Sequence, residues 1–243
     1  MTALDYQEVE RRAHGVRDRL GIGDAPIADM PATLTDAGLV VLVRPLGDDG
    51  PEGLYVRRAE YGAVLLNGDS YLPRLRFTAA HELGHHEYGA NAAVDVVIGA
   101  TTDPEERRAN AFAASFLMPR EALANRVTGP AITPERVVEI ANEFGVSYET
   151  LVFRLHNLGF LPGRAETRDR LMAERSAVLT NTLRQRRMEH RSMLPSNHVK
   201  RAIDAYVKED ISLDRLAELL YEDDEARLGR ALEEAGLLNP ADA

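Results

Sequence analysis

Two histidines and one glutamate in this sequence are spaced so that they can bind and use a metal ion. Residues 81–85 read His-Glu-Leu-Gly-His. On a helix, side chains four residues apart lie on one face, so His81 and His85 can place two imidazole nitrogens on the same ion. Glu82 is turned by about 100° from His81, which suits a carboxylate that contacts water at the ion without binding the ion itself. The pattern predicts a hydrolytic metal centre.

Two ligands bind a metal ion weakly, so a third ligand is expected elsewhere. Tyr88 and Asn91 occupy the positions where metzincins have Gly and His, which excludes that class. A second helical pattern, DPEERRANAFAASFLMP, offers Glu105 and Glu106, which lie about 50° to either side of its apolar face. Spacing alone does not choose between them. Glu106 has a second possible role, since with Asp103 as N-cap it is placed to form a capping box.

Periodicity and turn residues predict an α+β fold around this centre. Short runs rich in β-formers at 39–43, 54–56 and 63–66 predict a small antiparallel sheet. Amphipathic segments with capping signals predict helices at 4–20, 26–38, 73–88, 103–119, 133–144 and 148–158.

Pro162-Gly163 and a change in charge predict a boundary near residue 163. Residues 164–208 carry 11 basic and 5 acidic side chains, whereas 209–243 carry 3 and 11. We expect a domain that carries the metal centre at 1–130, a helix-turn-helix-like segment packed on it at 131–163, and a helical C-terminal module at 164–243.

Composition excludes several classes of function. The 243 residues contain no Cys, so a disulfide framework, a thiolate metal site and a Cys nucleophile are excluded. The net charge of −10 argues against a surface devoted to nucleic acid. Because no apolar run reaches the length of a membrane span and the N-terminal segment lacks a signal-peptide pattern, we expect a cytoplasmic protein that does not bind membranes.

Two blocks together carry a resemblance to a known family. RFTAAHELGHHEYG at 76–89, followed by E-x-x-A-N-x-F-A-x-x-x-L-M-P at 106–119, resembles the ImmA/IrrE family of metallopeptidase-like proteins, and the similarity extends over about residues 5–160. The resemblance implies a zincin-like fold in which His81, His85 and Glu106 bind the metal and Glu82 is the general base. The family often has an acid just before Ala-Asn, where this chain has Arg108.

The resemblance also implies a function. A zinc-dependent regulatory endopeptidase of this type, with one zinc ion (or another divalent ion such as Mn²⁺) per chain, would cleave a helix-turn-helix repressor and so switch on stress-response or mobile-element genes. The alternative is a zincin-fold regulator or antitoxin that binds DNA or protein without proteolysis.

An oxyanion-stabilising group is also expected, and Tyr55, Tyr61 and Tyr88 are the candidates. His86 is expected on the surface or beside a ligand. For Arg74 and Arg76 we expect solvated charges.

Two segments are candidates for nucleic-acid contact. Residues 136–155 resemble a helix-turn-helix, but the second helix offers Arg154 as its one basic residue, which favours a packing role. The basic run at 184–191 is the stronger candidate for weak contact with nucleic acid, although a solvated helix face is the simpler interpretation.

Overall fold

The computed structural model describes residues 5–58, 61–95, 102–127, 132–175 and 193–239. Within these residues it contains a four-stranded mixed sheet and eleven helices. The strands are β1 (Leu39–Arg44), β2 (Gly53–Arg58), β3 (Tyr61–Asn67) and β4 (Ala92–Asp95). The helices are α1 (Tyr6–Arg19), α2 (Met30–Asp36), α3 (Leu72–Glu87), α4 (Pro104–Leu117), α5 (Arg120–Ala124), α6 (Pro134–Phe144), α7 (Tyr148–Leu158), α8 (Ala165–Glu174), α9 (Ser196–Val207), α10 (Leu213–Leu220) and α11 (Glu225–Glu234).

The sheet has the strand order β1-β3-β2-β4. Strands β2 and β3 form an antiparallel hairpin, and β4 adds antiparallel to the other side of β2. Strand β1 runs parallel to β3, with Leu39 opposite Gly62. The α+β class is therefore confirmed, whereas the prediction of a purely antiparallel sheet is wrong for this pair. After β1 the chain forms β2 one position further along the sheet, and β3 then fills the position between them. Turn residues in the sequence do not reveal such a crossover.

Two antiparallel helices, α3 and α4, form the centre of the first compact unit. Helix α1 packs on α4, and its apolar residues Val9, Ala13 and Val16 are each about 1% exposed. The sheet packs on another side of α3 through β2 and β3. Because α3 is packed on several sides, its buried polar side chains need hydrogen-bond or ionic partners within the protein.

The described chain divides into two compact units, residues 1–192 and 193–243. This division differs from the boundary predicted near residue 163, because α8 packs on α7 within the first unit. Leu171 of α8 is fully buried, and the Tyr148 hydroxyl donates a 3.0 Å hydrogen bond to its carbonyl oxygen. Turn residues at 162–163 mark the end of a helix but do not show what the next helix packs against.

The second unit has its own core. Helices α9, α10 and α11 bury Ala202, Tyr206, Leu216 and Leu232 against one another. The Asn239 backbone N–H and side-chain amide donate to the hydroxyl and carbonyl oxygens of Tyr206. Across the described part of the chain, no helix combines the length and apolar character that a membrane crossing requires.

Candidate metal centre

The side chains predicted to bind a metal converge between α3 and α4. The Nε2 atoms of His81 and His85 lie 2.9 Å apart. The two carboxylate oxygens of Glu106 lie 3.2 Å from these nitrogens, one on each histidine. Both imidazoles are buried, and Glu106 is 30% exposed. The two histidines and this glutamate therefore offer one compact set of nitrogen and oxygen donors.

The spacing of these atoms fits a single ion. Ligand atoms held by one tetrahedral zinc ion at 2.0–2.1 Å are separated by about 3.3 Å, close to the 2.9 and 3.2 Å found here. Two histidines and one glutamate are also a donor set that zinc peptidases use, with a fourth position left for water. The residues present therefore fit a divalent ion, although they do not by themselves select zinc.

Asn110 holds His81 in the form that can bind a metal. The Nδ1–H of His81 donates to the amide oxygen of Asn110 at 2.9 Å, which leaves the lone pair on Nε2, the atom facing Glu106. Asn110 was not among the predicted site residues. Its position offered a signal, because it lies one turn after Glu106 on the same face of α4.

The close approach of α3 and α4 depends on Gly84. A Cβ atom at this position would lie 3.2 Å from the Cα of Ala109 and 3.2 Å from the Phe112 ring. Small residues at the contact allow Glu106 to reach across to the histidines of α3. The start of α4 is fixed by Asp103, whose side chain accepts from the Glu105 N–H at 2.8 Å, as predicted.

The structure distinguishes the two glutamates that spacing left open. Glu106 is placed against both histidines, and the group of possible ligands in the described residues consists of His81, His85 and Glu106. Glu105 is exposed and lines a small pocket beside His85. This arrangement agrees with the ligand that the resemblance implied.

Glu82 is completely buried beneath the sheet. Strand β2 passes over it at Gly53, where a Cβ atom would lie 2.6 Å from the Glu82 Oε1 atom and 2.4 Å from the Thr78 methyl group. A glycine is therefore required here by close approach. The carboxylate sits on the helix face next to that of the two histidines, as the motif predicted.

The candidate oxyanion donors have other partners. The Tyr55 hydroxyl lies 3.0 Å from Nδ1 of His86, and the Tyr88 hydroxyl donates to Glu8 at 2.9 Å. Burial raises the pKa of both phenols, and the hydrogen bond to Glu8 raises the pKa of Tyr88 further. Tyr61 is 54% exposed at the start of β3. The oxyanion role stays a prediction for all three.

The His86 side chain connects α3 to β2, because its Nδ1 atom lies 3.0 Å from the Tyr55 hydroxyl. Burial lowers its pKa below the ordinary value. The expectation of a solvated charge is wrong for Arg76, which is 5% exposed and donates to the carbonyl oxygens of Ile27 at 2.7 Å and Phe144 at 3.2 Å. Arg74 is half-buried and forms an ion pair with Glu52.

The helix-turn-helix-like segment forms α6 and α7, joined at Gly145 in the left-handed conformation. Arg154 of α7 is 6% exposed, donates to the Met118 carbonyl oxygen and forms an ion pair with Glu10. The one basic residue of the second helix is thus used internally, which supports the packing interpretation. The basic run at 184–191 lies outside the described residues.

Comparison with known proteins settles the family. The model of a peptidase family described as the IrrE N-terminal-like domain matches residues 34–156, about half of the chain. The chain belongs to this family. The match includes α3, α4, α6 and all but the end of α7, so the candidate metal centre lies inside it. No curated protein matches the chain closely enough to count as a relative.

Membership of the IrrE N-terminal-like family supports a metallopeptidase-like regulatory role in general terms. It agrees with the donor set found between α3 and α4.

Proposed function

We propose that this protein is a zinc-dependent endopeptidase that acts in the cytoplasm and cleaves a helix-turn-helix transcriptional repressor. The observation that carries the proposal is the convergence of His81, His85 and Glu106, with the buried acid Glu82 on the same helix. Two histidines and a glutamate as ligands, with a neighbouring acid, form the arrangement that metal-assisted peptide hydrolysis requires. The repressor substrate rests on the resemblance to the ImmA/IrrE family.

His81, His85 and Glu106 would hold the zinc ion. A zinc ion in such a site polarises the scissile carbonyl and lowers the pKa of water to about 7. Glu82 accepts the proton of the attacking water and later returns it to the leaving amine. Asn110 keeps the His81 lone pair directed at the site. Strand β2 covers Glu82 and excludes bulk solvent from its carboxylate.

The experiment compares the wild type with Glu82→Gln, which keeps shape and removes the base. New protein N-termini are identified by mass spectrometry in cells that make each form. A candidate substrate is then purified and incubated with each zinc-loaded protein. We expect cleavage of a repressor by the wild type and loss of at least about 10³-fold in rate for Glu82→Gln, since the general base is removed.

Glu105→Gln is the matched control, because it removes an exposed carboxylate one position before the third ligand. This variant is expected to cleave at the wild-type rate. A regulatory effect that persists in Glu82→Gln would exclude proteolysis as the mechanism. It would favour the alternative of a zincin-fold regulator that acts by binding.

A further inference from the structure

A groove between α3, α4 and α7 lies next to the candidate metal centre. Its volume is about 310 Å³, and its walls include Phe77, Asn110, Ala114, Thr150 and Phe153. Asn110 belongs to both places, since its amide oxygen accepts from the ligand His81. Phe77 lies one helical turn before His81 on the same face of α3. The groove therefore adjoins the candidate metal centre through Asn110.

The lining of the groove favours an apolar occupant. Phe153 is 48% exposed, and together with Phe77 it gives the groove two aromatic side chains. Both cations on the wall are neutralised within the protein, because Arg74 pairs with Glu52 at 3.0 Å and Arg154 pairs with Glu10 at 2.6 Å. Asn110 and Thr150 add uncharged hydrogen-bonding groups.

The size of the groove limits what it holds. Ligand pockets range from about 300 to 1,000 Å³, so this groove is at the small end and suits one large side chain with its flanking backbone rather than a folded domain.

We propose that this groove binds a large apolar side chain, aromatic or long aliphatic, of the polypeptide held at the metal centre. The inference rests on the proposed function and adds the class of residue that the enzyme selects near the cleaved bond. It also gives α7 a role, since Thr150 and Phe153 of the helix-turn-helix-like pair form one wall. The helix-turn-helix-like pair would then contribute to substrate choice instead of reading DNA.

The test uses hydroxamates, which bind a catalytic metal without needing the natural substrate. Two peptidyl hydroxamates are identical except that one has a benzyl side chain and the other a methyl group next to the metal-binding group. Acetohydroxamate serves as the reference that reports the metal site alone. Affinities are measured by calorimetry on the full zinc-loaded chain. We expect the benzyl compound to bind at least about tenfold more tightly than the methyl compound, because burial of the larger apolar side chain in the groove is more favourable.

Variants locate that preference. Ala114→Leu fills the groove from α4, and Phe153→Ser removes an exposed ring from α7, so both should reduce the benzyl preference to within about twofold. Ala124→Leu is the matched control, because the same change is made at an exposed position of α5. Acetohydroxamate should bind equally to the wild type and all three variants, which shows that the metal site is intact.

The outcomes separate the two proposals. Binding of acetohydroxamate without a benzyl preference, or a preference that both groove variants retain, would overturn the groove and leave the metal centre standing. Failure of acetohydroxamate to bind the wild type would overturn the metal centre and the groove together.

Discussion

Replacement of Gly53 by alanine should slow catalysis without removing the metal. The added methyl group would lie 2.4 Å from the Thr78 methyl and 2.6 Å from Oε1 of Glu82. Non-bonded carbon atoms prefer about 3.5–4.0 Å, so β2 and α3 must separate by about 1 Å or the carboxylate must turn away. Misplacement of a reacting group by 1 Å can cost about 10²-fold in rate. We therefore expect kcat to fall by about 10- to 100-fold.

The assay measures kcat and KM on the repressor cleaved by the wild type, together with metal content. About one ion per chain should remain, because the methyl group meets Glu82 and Thr78 and not the ligands. Gly15→Ala is the matched control. Gly15 is exposed in α1, and apart from its chain neighbours and the backbone of its own helix no atom lies within 4 Å of its added Cβ. This change should therefore leave kcat unaltered and stabilise the protein by about 0.5–1 kcal/mol.

A second variant separates catalysis from stability. Combining Gly53→Ala with Thr78→Ser removes one of the two overlapping methyl groups while the overlap with the carboxylate remains. We expect this double variant to recover most of the lost thermal stability but not kcat. The reasoning would be refuted by a folded Gly53→Ala variant whose kcat lies within twofold of the wild type, or by recovery of kcat in step with stability.

Three other predictions follow from contacts around the site. Asn110→Ala should weaken zinc binding by about 10- to 100-fold in a competition assay, and Asn110→Asp, which keeps the acceptor, should not. Arg154→Met should lower the free energy of unfolding in urea by about 2–4 kcal/mol by leaving Glu10 and a buried carbonyl unpaired; a loss below 0.5 kcal/mol would contradict this. Burial raises the pKa of Tyr148 from about 10 to about 12, so on raising the pH the unfolded chain loses the phenol proton before the folded protein does. The free energy of unfolding should therefore fall between about pH 10 and 12, and Tyr148→Phe should flatten that fall.

The helix that carries the two histidines could be predicted because its pattern is local. His81 and His85 lie four residues apart on one helix, and periodicity with capping signals indicates that helix. The choice between Glu105 and Glu106 needed the relative rotation of α3 and α4, which no spacing within one helix contains. The resemblance to known proteins named Glu106, and the structure places it against both histidines.

Features that depend on contacts between distant segments escaped prediction. Arg76 looks like a surface charge in sequence, yet carbonyl groups from residues 27 and 144 surround it. The parallel pairing of β1 with β3 follows from a crossover, and α8 joins the first unit through Leu171. Gly53 gave no signal, because the need for a glycine arises only where β2 passes over Glu82.

Metal content per chain tests the central claim most directly. After reconstitution with zinc, bound metal is measured by elemental mass spectrometry for the wild type, His85→Ala, Glu106→Ala and Glu105→Ala. We predict about one ion in the wild type and in Glu105→Ala, and loss of the ion in His85→Ala and Glu106→Ala. Absence of metal from the wild type, or retention of the ion in Glu106→Ala, would contradict the three-ligand centre on which the proposed peptidase rests.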